Sequence, residues 1–422
     1  MTTPLVLPEG APEEVVTISK VRDVDLTPFG YKGTLALITM DNGLDHTRPN
    51  TLGPQSVASL DAAITEALSR TPAAIAVTGK PFIFAAGADL SAMSFLTDRN
   101  QALAIGKLGH DVFRRLGEID IPTFAFINGL ALGGGLEIGL HSKYRTLAST
   151  AFTALPEVFL GLVPGWGGAT LLPKLIGPER AVQVIILNAL NNNTMMKAKD
   201  ALSLGVVDAV FEPADFLEKS VAFAASILSG AKKIERQDYS SDPAWESALA
   251  KGKAAAAKKF GGADIASPRK ALELIAAART CTNGEGFDAE DQVLADLVMS
   301  DPLRASLYAF NLIQKKRKKV EGAPKANLAR KVTKVGVVGA GLMASQLALL
   351  LVRNLKCPVV MTDIDQARAD KGVAWVHAEL TKLVEKKRMS AESATRLAAL
   401  VTGSADKSVY AGCDFVIEAI FE

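Results

Sequence analysis

The sequence predicts an α/β protein built as two units. Three observations predict it. Short apolar, strand-like runs alternate with helical patterns through the first half of the chain. Several of those runs end in glycine-rich turns that open a helix. After a stretch rich in Lys and Ala over 230–286, a strand, a glycine turn, a helix and a second strand come again. A length of 422 residues fits two domains or more, and 49% hydrophobic residues can fill sizeable cores.

Composition excludes several classes of function. A net charge of +2 gives no global field for a polyanion, so no nucleic-acid partner is expected. Cys281, Cys357 and Cys413 are too far apart for a disulfide framework or a metal knuckle, and they suit a reducing compartment. His46, His110, His141 and His377 show no ligand spacing, which leaves no expected metal. The N-terminal MTTPLVLPEGAPEE lacks the basic and apolar regions of a secretory signal and is not Arg-rich. No apolar run reaches spanning length, so no transmembrane segment is expected and the chain reads as cytoplasmic.

Leu35 to Met40 is the first clear strand, ended by the turn Asp41-Asn42-Gly43. An amphipathic helix follows from Ser56 to Arg70, then a short buried strand from Ala73 to Thr78. Phe84-Ala-Ala-Gly-Ala-Asp-Leu90 makes a glycine turn, and Asp89 suits a helix cap. A helix spans 100–118 and Pro122 opens the central strand.

The chain is organised around the next stretch, Asn128 to Glu157. Thr123-Phe-Ala-Phe-Ile runs into Asn128-Gly129, and Gly133, Gly134 and Gly135 follow in a row. Three glycines cost conformational entropy, so the turn needs unusual torsions or a close approach to its backbone. Free N–H groups at such a helix start suit a developing oxyanion, although a tight packing turn would use the same glycines. Glu137 stands in the first turn of that helix, and Glu157 follows Pro156 twenty residues later (157 − 137). Acids amid apolar runs are uncommon, because burying a charge is costly. Two of them flanking a glycine-rich turn suit paired acid and base work. Gly161-Leu-Val-Pro-Gly-Trp-Gly-Gly168 then leads into another helix.

Three motifs in this order and spacing resemble the enoyl-CoA hydratase/isomerase (crotonase) superfamily. They are Phe84 to Leu90, Asn128 to Glu137, and Leu155-Pro-Glu157 with Gly161 to Gly168. The resemblance implies a crotonase (ClpP-like) β/α spiral over residues 1–230, acting on an acyl-CoA thioester. It implies backbone N–H donors at Ala86 and Gly134, and catalytic carboxyls at Glu137 and Glu157. Glu137 would hold and deprotonate water and Glu157 would protonate C2, with no cofactor for hydration. The fold also hosts Δ3–Δ2 enoyl-CoA isomerases, and a scaffold that binds acyl-CoA or NAD without turnover is a third reading. The stretch Ala198 to Gly205 with Val206-Val207-Asp208 resembles the end of the family's core.

Residues 231–330 read as a helical linker with solvated helices, of which a long helix over 291–319 packs on the first domain. Its Lys315–Lys319 run suits a helix C-terminus. Residues 331–422 form the second unit. Val335 to Val338 is a strand, and Gly339-Ala-Gly-Leu-Met-Ala344 fits the G-x-G-x-x-G/A dinucleotide turn. Asp363 ends the next strand, 22 residues beyond Gly341 (363 − 341), where an acid would meet ribose hydroxyls. This is a partial Rossmann NAD-binding unit, with Gly339, Gly341, Met343, Ala344, Asp363 and Glu422 as cofactor-side residues. The order of units resembles the α-subunit of a multifunctional fatty-acid oxidation complex, which implies a thiolase β-subunit as partner. Those proteins continue into a whole 3-hydroxyacyl-CoA dehydrogenase half with a catalytic His. The sequence is therefore expected to be a fragment or a truncated product.

Overall fold

A computed structural model describes residues 10–313, 322–386 and 388–420. The chain divides into two compact units, Met1–Lys318 and Lys319–Glu422.

In the first unit, β1 (Ile18–Asp25) and β2 (Thr34–Asp41) form an antiparallel hairpin. The helix α1 (Pro54–Ser69) starts at a proline and buries Val57, Leu60 and Ile64. Then three ββα turns repeat. The first is β3 (Ala74–Gly79), β4 (Phe82–Ala85) and α2 (Arg99–Glu118). The second is β5 (Thr123–Ile127), β6 (Gly129–Leu132) and α3 (Gly134–His141). The third is β7 (Tyr144–Ala148), β8 (Phe152–Ala154) and the short α4 (Glu157–Leu160).

Each turn gives one strand to each of two sheets. Among the described residues the larger sheet has the order β1-β2-β3-β5-β7-β10 and the smaller β4-β6-β8-β9. All neighbours from β2 through β10 are parallel, and so are β4, β6 and β8. The fully buried runs of β3 and β5 are what a parallel sheet covered on both faces requires.

After the spiral come α5 (Gly168–Ile176) and α6 (Pro178–Val182), the strand β9 (Met196–Lys197), α7 (Ala198–Leu204), β10 (Ala209–Phe211) and α8 (Phe216–Leu228). Next stand α9 (Trp245–Lys259), α10 (Ala266–Ala278) and α11 (Asn283–Val298). These helices are not solvated spacers. Trp245, Ala271, Ile275 and Leu294 belong to the same core as the spiral. The spacing of small and apolar residues hid this face behind many lysines, which lie on the other side of α9.

The single long helix expected over 291–319 is also corrected. α11 ends at Val298, and α12 (Asp301–Asn311) begins anew with Ser300 as its cap and Pro302 in its first turn. Proline has no N–H to continue α11, and it is at home at a helix start. The expected basic helix end at Lys315–Lys319 lies outside the described residues.

The second unit holds β11 (Val335–Val338), α13 (Leu342–Leu355), β12 (Val359–Thr362), α14 (Gln366–Glu385), α15 (Ala391–Ala398), β13 (Val401–Ser404) and β14 (Phe415–Glu418). Its parallel sheet has the order β13-β12-β11-β14. The centre strands β11 and β12 carry Val335, Val337, Val359 and Met361 into a core of their own.

Candidate active site

The spiral itself assembles the site. Because β4, β6 and β8 are parallel, their C-terminal ends reach one edge of the small sheet. β4 leads into residues 86–88, β6 into Gly133-Gly134, and β8 into Pro156-Glu157. One glycine shows how tightly these pieces meet. Gly133 has φ +51°, and a Cβ there would stand 2.5 Å from Glu157 Oε1. Any other residue would be strained and would strike the second carboxyl.

The pieces line a half-open cavity of about 70 Å³. Glu137, Glu157, Ala88 and Gly134 line it, and Met93, Leu160, Leu162 and Leu294 add apolar wall. Glu137 and Glu157 thus share one chamber, as their sequence context suggested.

Their environments differ. Glu137 Oε1 accepts the N–H groups of Trp166 and Gly168, each at 2.8 Å. Burial, and then the charge of Glu290, raise its pKa to about 7 against the pull of those two donors. Glu157 has Oε2 enclosed with no hydrogen-bond partner. Burial, and then the charge of Glu137, push its pKa well above the usual carboxylate range. Two acids this close do not both ionise near neutrality. The two donors on one oxygen favour the charged form at Glu137, whereas nothing donates to Glu157 Oε2 to favour charge there.

The expected N–H donor at Ala86 is corrected. Its N–H donates to the Asn50 carbonyl at 2.8 Å and is not available to a ligand. Two residues on, Ala88 sits in a bridge to Leu52 whose bonds use Gly87 O and Asp89 N. That pattern leaves the Ala88 N–H without an acceptor among the described residues. The N–H of Gly134, first residue of α3, is free for the same reason as any helix start. The two donors adjoin: a Cβ on Gly134 would lie 3.6 Å from Ala88 N. The free pair is Ala88 and Gly134, and β4 gives no sequence signal of which N–H the Asn50 carbonyl consumes.

Behind Glu137 lie groups that sequence reasoning passed over. Glu290, Asp291, His110 and His141 are all buried. Glu290 Oε2 accepts the Gly167 N–H at 2.6 Å, between the two N–H groups that hold Glu137. A helical Glu-Asp pair and a lone His read as solvated or structural from sequence, and only the packing of α11 on α2 and α5 shows otherwise.

In the second unit, Gly339 has φ +106°, and a Cβ there would meet the Ala419 carbonyl at 2.7 Å. Gly341 precedes α13 with nothing within 4 Å of where its Cβ would be. Open space therefore faces the unpaired N–H groups at that helix start, as a pyrophosphate needs. Met343 is exposed beside it, whereas Ala344 is fully buried and serves packing. Asp363 Oδ2 accepts the Ala340 N–H at 3.0 Å, tying the end of β12 to the turn. Glu422 lies outside the described residues. Among the described residues there is no cluster of metal-ligand type, and no helix is long and apolar enough to cross a membrane.

Two sheets wound in ββα turns, with paired carboxyls and a free N–H pair at one edge, define the first unit as a crotonase-type spiral. The sequence model described as enoyl-CoA hydratase/isomerase matches residues 30–263, more than half of the chain, and the chain belongs to that family. Residues 334–422 match the NAD binding domain of 3-hydroxyacyl-CoA dehydrogenase. The fatty acid oxidation complex subunit alpha of Shewanella loihica is 31% identical over 82% of this chain and 49% of its own length. A glyoxysomal fatty acid beta-oxidation multifunctional protein of Brassica napus is 30% identical over 96% of this chain and 55% of its own. The chain spans about half the length of the curated relatives it matches. Human mitochondrial delta3-delta2-enoyl-CoA isomerase, a crystal structure, aligns with 71% of this chain and 99% of its own at 19% identity and a TM-score of 0.49.

Proposed function

We propose that the first unit hydrates trans-2-enoyl-CoA to 3-hydroxyacyl-CoA. One observation carries this reading: two buried carboxyl groups, one held by two N–H donors and the other with an unpartnered oxygen, face one apolar-walled cavity beside a free N–H pair. The Ala88 and Gly134 N–H groups receive the thioester oxygen. Glu137 takes a proton from water as the water oxygen bonds to C3. The C2–C3 π electrons move toward the thioester, so charge grows on its oxygen and the donors bind the transition state more strongly than the substrate. Glu157 then gives its proton to C2, and solvent exchange restores both carboxyls.

The experiment is crotonyl-CoA hydration followed by loss of enoyl absorbance across pH. Activity rises through pH 7 as Glu137 ionises, then falls at higher pH as Glu157 loses its proton. A flat profile would remove this pair from the mechanism. Faster turnover of 3-enoyl-CoA than of crotonyl-CoA would make the site an isomerase.

For the second unit, the fit of Gly339, Gly341 and the start of α13 to a pyrophosphate supports NAD as its cofactor. NAD would supply a hydride acceptor for the 3-hydroxyl carbon. Asp363 would take ribose hydroxyls and repel a 2′-phosphate. Calorimetry should show NAD binding about 10–100-fold tighter than NADP, and Asp363→Ser should erase most of that gap. Equal affinities would remove Asp363 from the site. A thiolase β-subunit would consume the product after oxidation, and the assembly would be cytoplasmic, a place that the glyoxysomal relative of Brassica napus does not share.

A further inference from the structure

We propose that Glu290, with His110 and Asp291, forms a buried positioning unit that clamps the backbone around Glu137 and sets the field it works in. This deepens the hydratase reading and rests on it for its rate readout.

Three successive N–H groups alternate between two carboxylates. Trp166 and Gly168 donate to Glu137, and Gly167 between them donates to Glu290. The other oxygen of Glu290 accepts the Thr170 hydroxyl at 2.6 Å, so the carboxylate holds both the loop and the first turn of α5. His110, on α2, places Nδ1 2.8 Å from Asp291 and Nε2 3.2 Å from Glu290. His141 Nε2–H donates to the Trp166 carbonyl at 3.0 Å, pinning the loop from the α3 side. Every one of these side chains is buried, and buried charges persist only when partnered.

The charges can be placed. Burial alone would neutralise His110, but its contacts with Asp291 and Glu290 outweigh that and raise it to about 9. Burial, then the His110 charge, lowers His141 to about 3, so it is neutral. The groups around Glu137 are Glu157 from α4, Glu290 from α11 and His110 from α2. Asp291, His141, Arg114 and Lys107 stand one layer out, and Arg145 bonds the carbonyls ending α3. Glu290 opposes the ionisation of Glu137 and His110 favours it.

Glu290→Gln keeps an acceptor for the loop and removes the charge. The acidic limb of kcat should move to lower pH by about one unit with KM unchanged, because a like charge has gone. Glu290→Asp, which retains the charge, should leave the limb in place. A folded Glu290→Gln with an unmoved limb would reduce Glu290 to packing and overturn the proposal. Ring ¹⁵N NMR of the wild-type chain needs neither a variant nor turnover. It should show His110 with both nitrogens protonated at pH 8 and His141 neutral at pH 5. A neutral His110 at pH 7 overturns the unit whatever the activity. A charged His110 in a chain that does not hydrate crotonyl-CoA keeps the unit and rejects the hydratase assignment.

Discussion

Glu137→Gln should lower crotonyl-CoA hydration by about 10²–10⁴-fold, the usual worth of a positioned general base. The same substitution should raise the thermal midpoint at pH 8. Gln keeps a carbonyl oxygen for the Trp166 and Gly168 N–H groups, so the loop stays held. What it loses is a buried charge. Glu137 titrates at about 7 in the folded chain against 4.5 for the free side chain. The folded state therefore binds this proton more tightly than the unfolded state. Its contribution to stability is whole below pH 4.5 and is lost as pH rises through 7. At pH 4.5 variant and wild type should melt together; at pH 8 the variant should melt higher. Undiminished hydration would dismiss Glu137 as the base. Equal midpoints at both pH values would mean its carboxyl is not held against ionisation.

Gly134→Ala should cost about 10²–10³ in kcat, the range for losing an oxyanion donor. The new methyl would stand 2.5 Å from Trp166 Cε3 and 3.6 Å from the Ala88 nitrogen, on the path of the thioester oxygen. Trp166 cannot swing clear, since its indole N–H donates to the Ile105 carbonyl at 3.2 Å and Phe113 meets its ring edge-on. Overpacking of this kind costs about 1–3 kcal/mol of stability, to be read by denaturant titration. A lowered stability with kcat intact would show that Gly134 packs and does not donate.

The sequence announces the parts of this site that are local. Gly133 to Gly135 mark a turn with a positive φ and close neighbours, and Glu137 and Glu157 stand out as acids in apolar runs. The strands β2, β3, β5, β11, β12 and β14 follow from period and glycine placement, whereas β4, β6 and β8 of the small sheet lie in short stretches that read as turns or carry no period. What stays hidden depends on distant chain. Whether Ala86 or Ala88 has a free N–H is decided by Asn50 and Leu52, which run alongside from before α1. Lysines on α9 mask a buried Trp245, and Pro302 breaks a helix whose apolar spacing runs on through it. Glu290 and His110 look ordinary singly, and their partnership exists only once α11 lies against α2.

That partnership has a consequence in time. Glu290 lies 123 residues beyond the Gly167 it holds. At ribosomal speeds of 5–20 residues per second, roughly 6–25 s separate the synthesis of loop and clamp. During that interval the nascent spiral can close its sheets and shape its cavity, but the backbone around the base has only one of its two carboxylate anchors. The proposed chemistry on CoA thioesters would thus wait until the helices after the spiral have been made and docked. The enzyme matures in the order in which it is written.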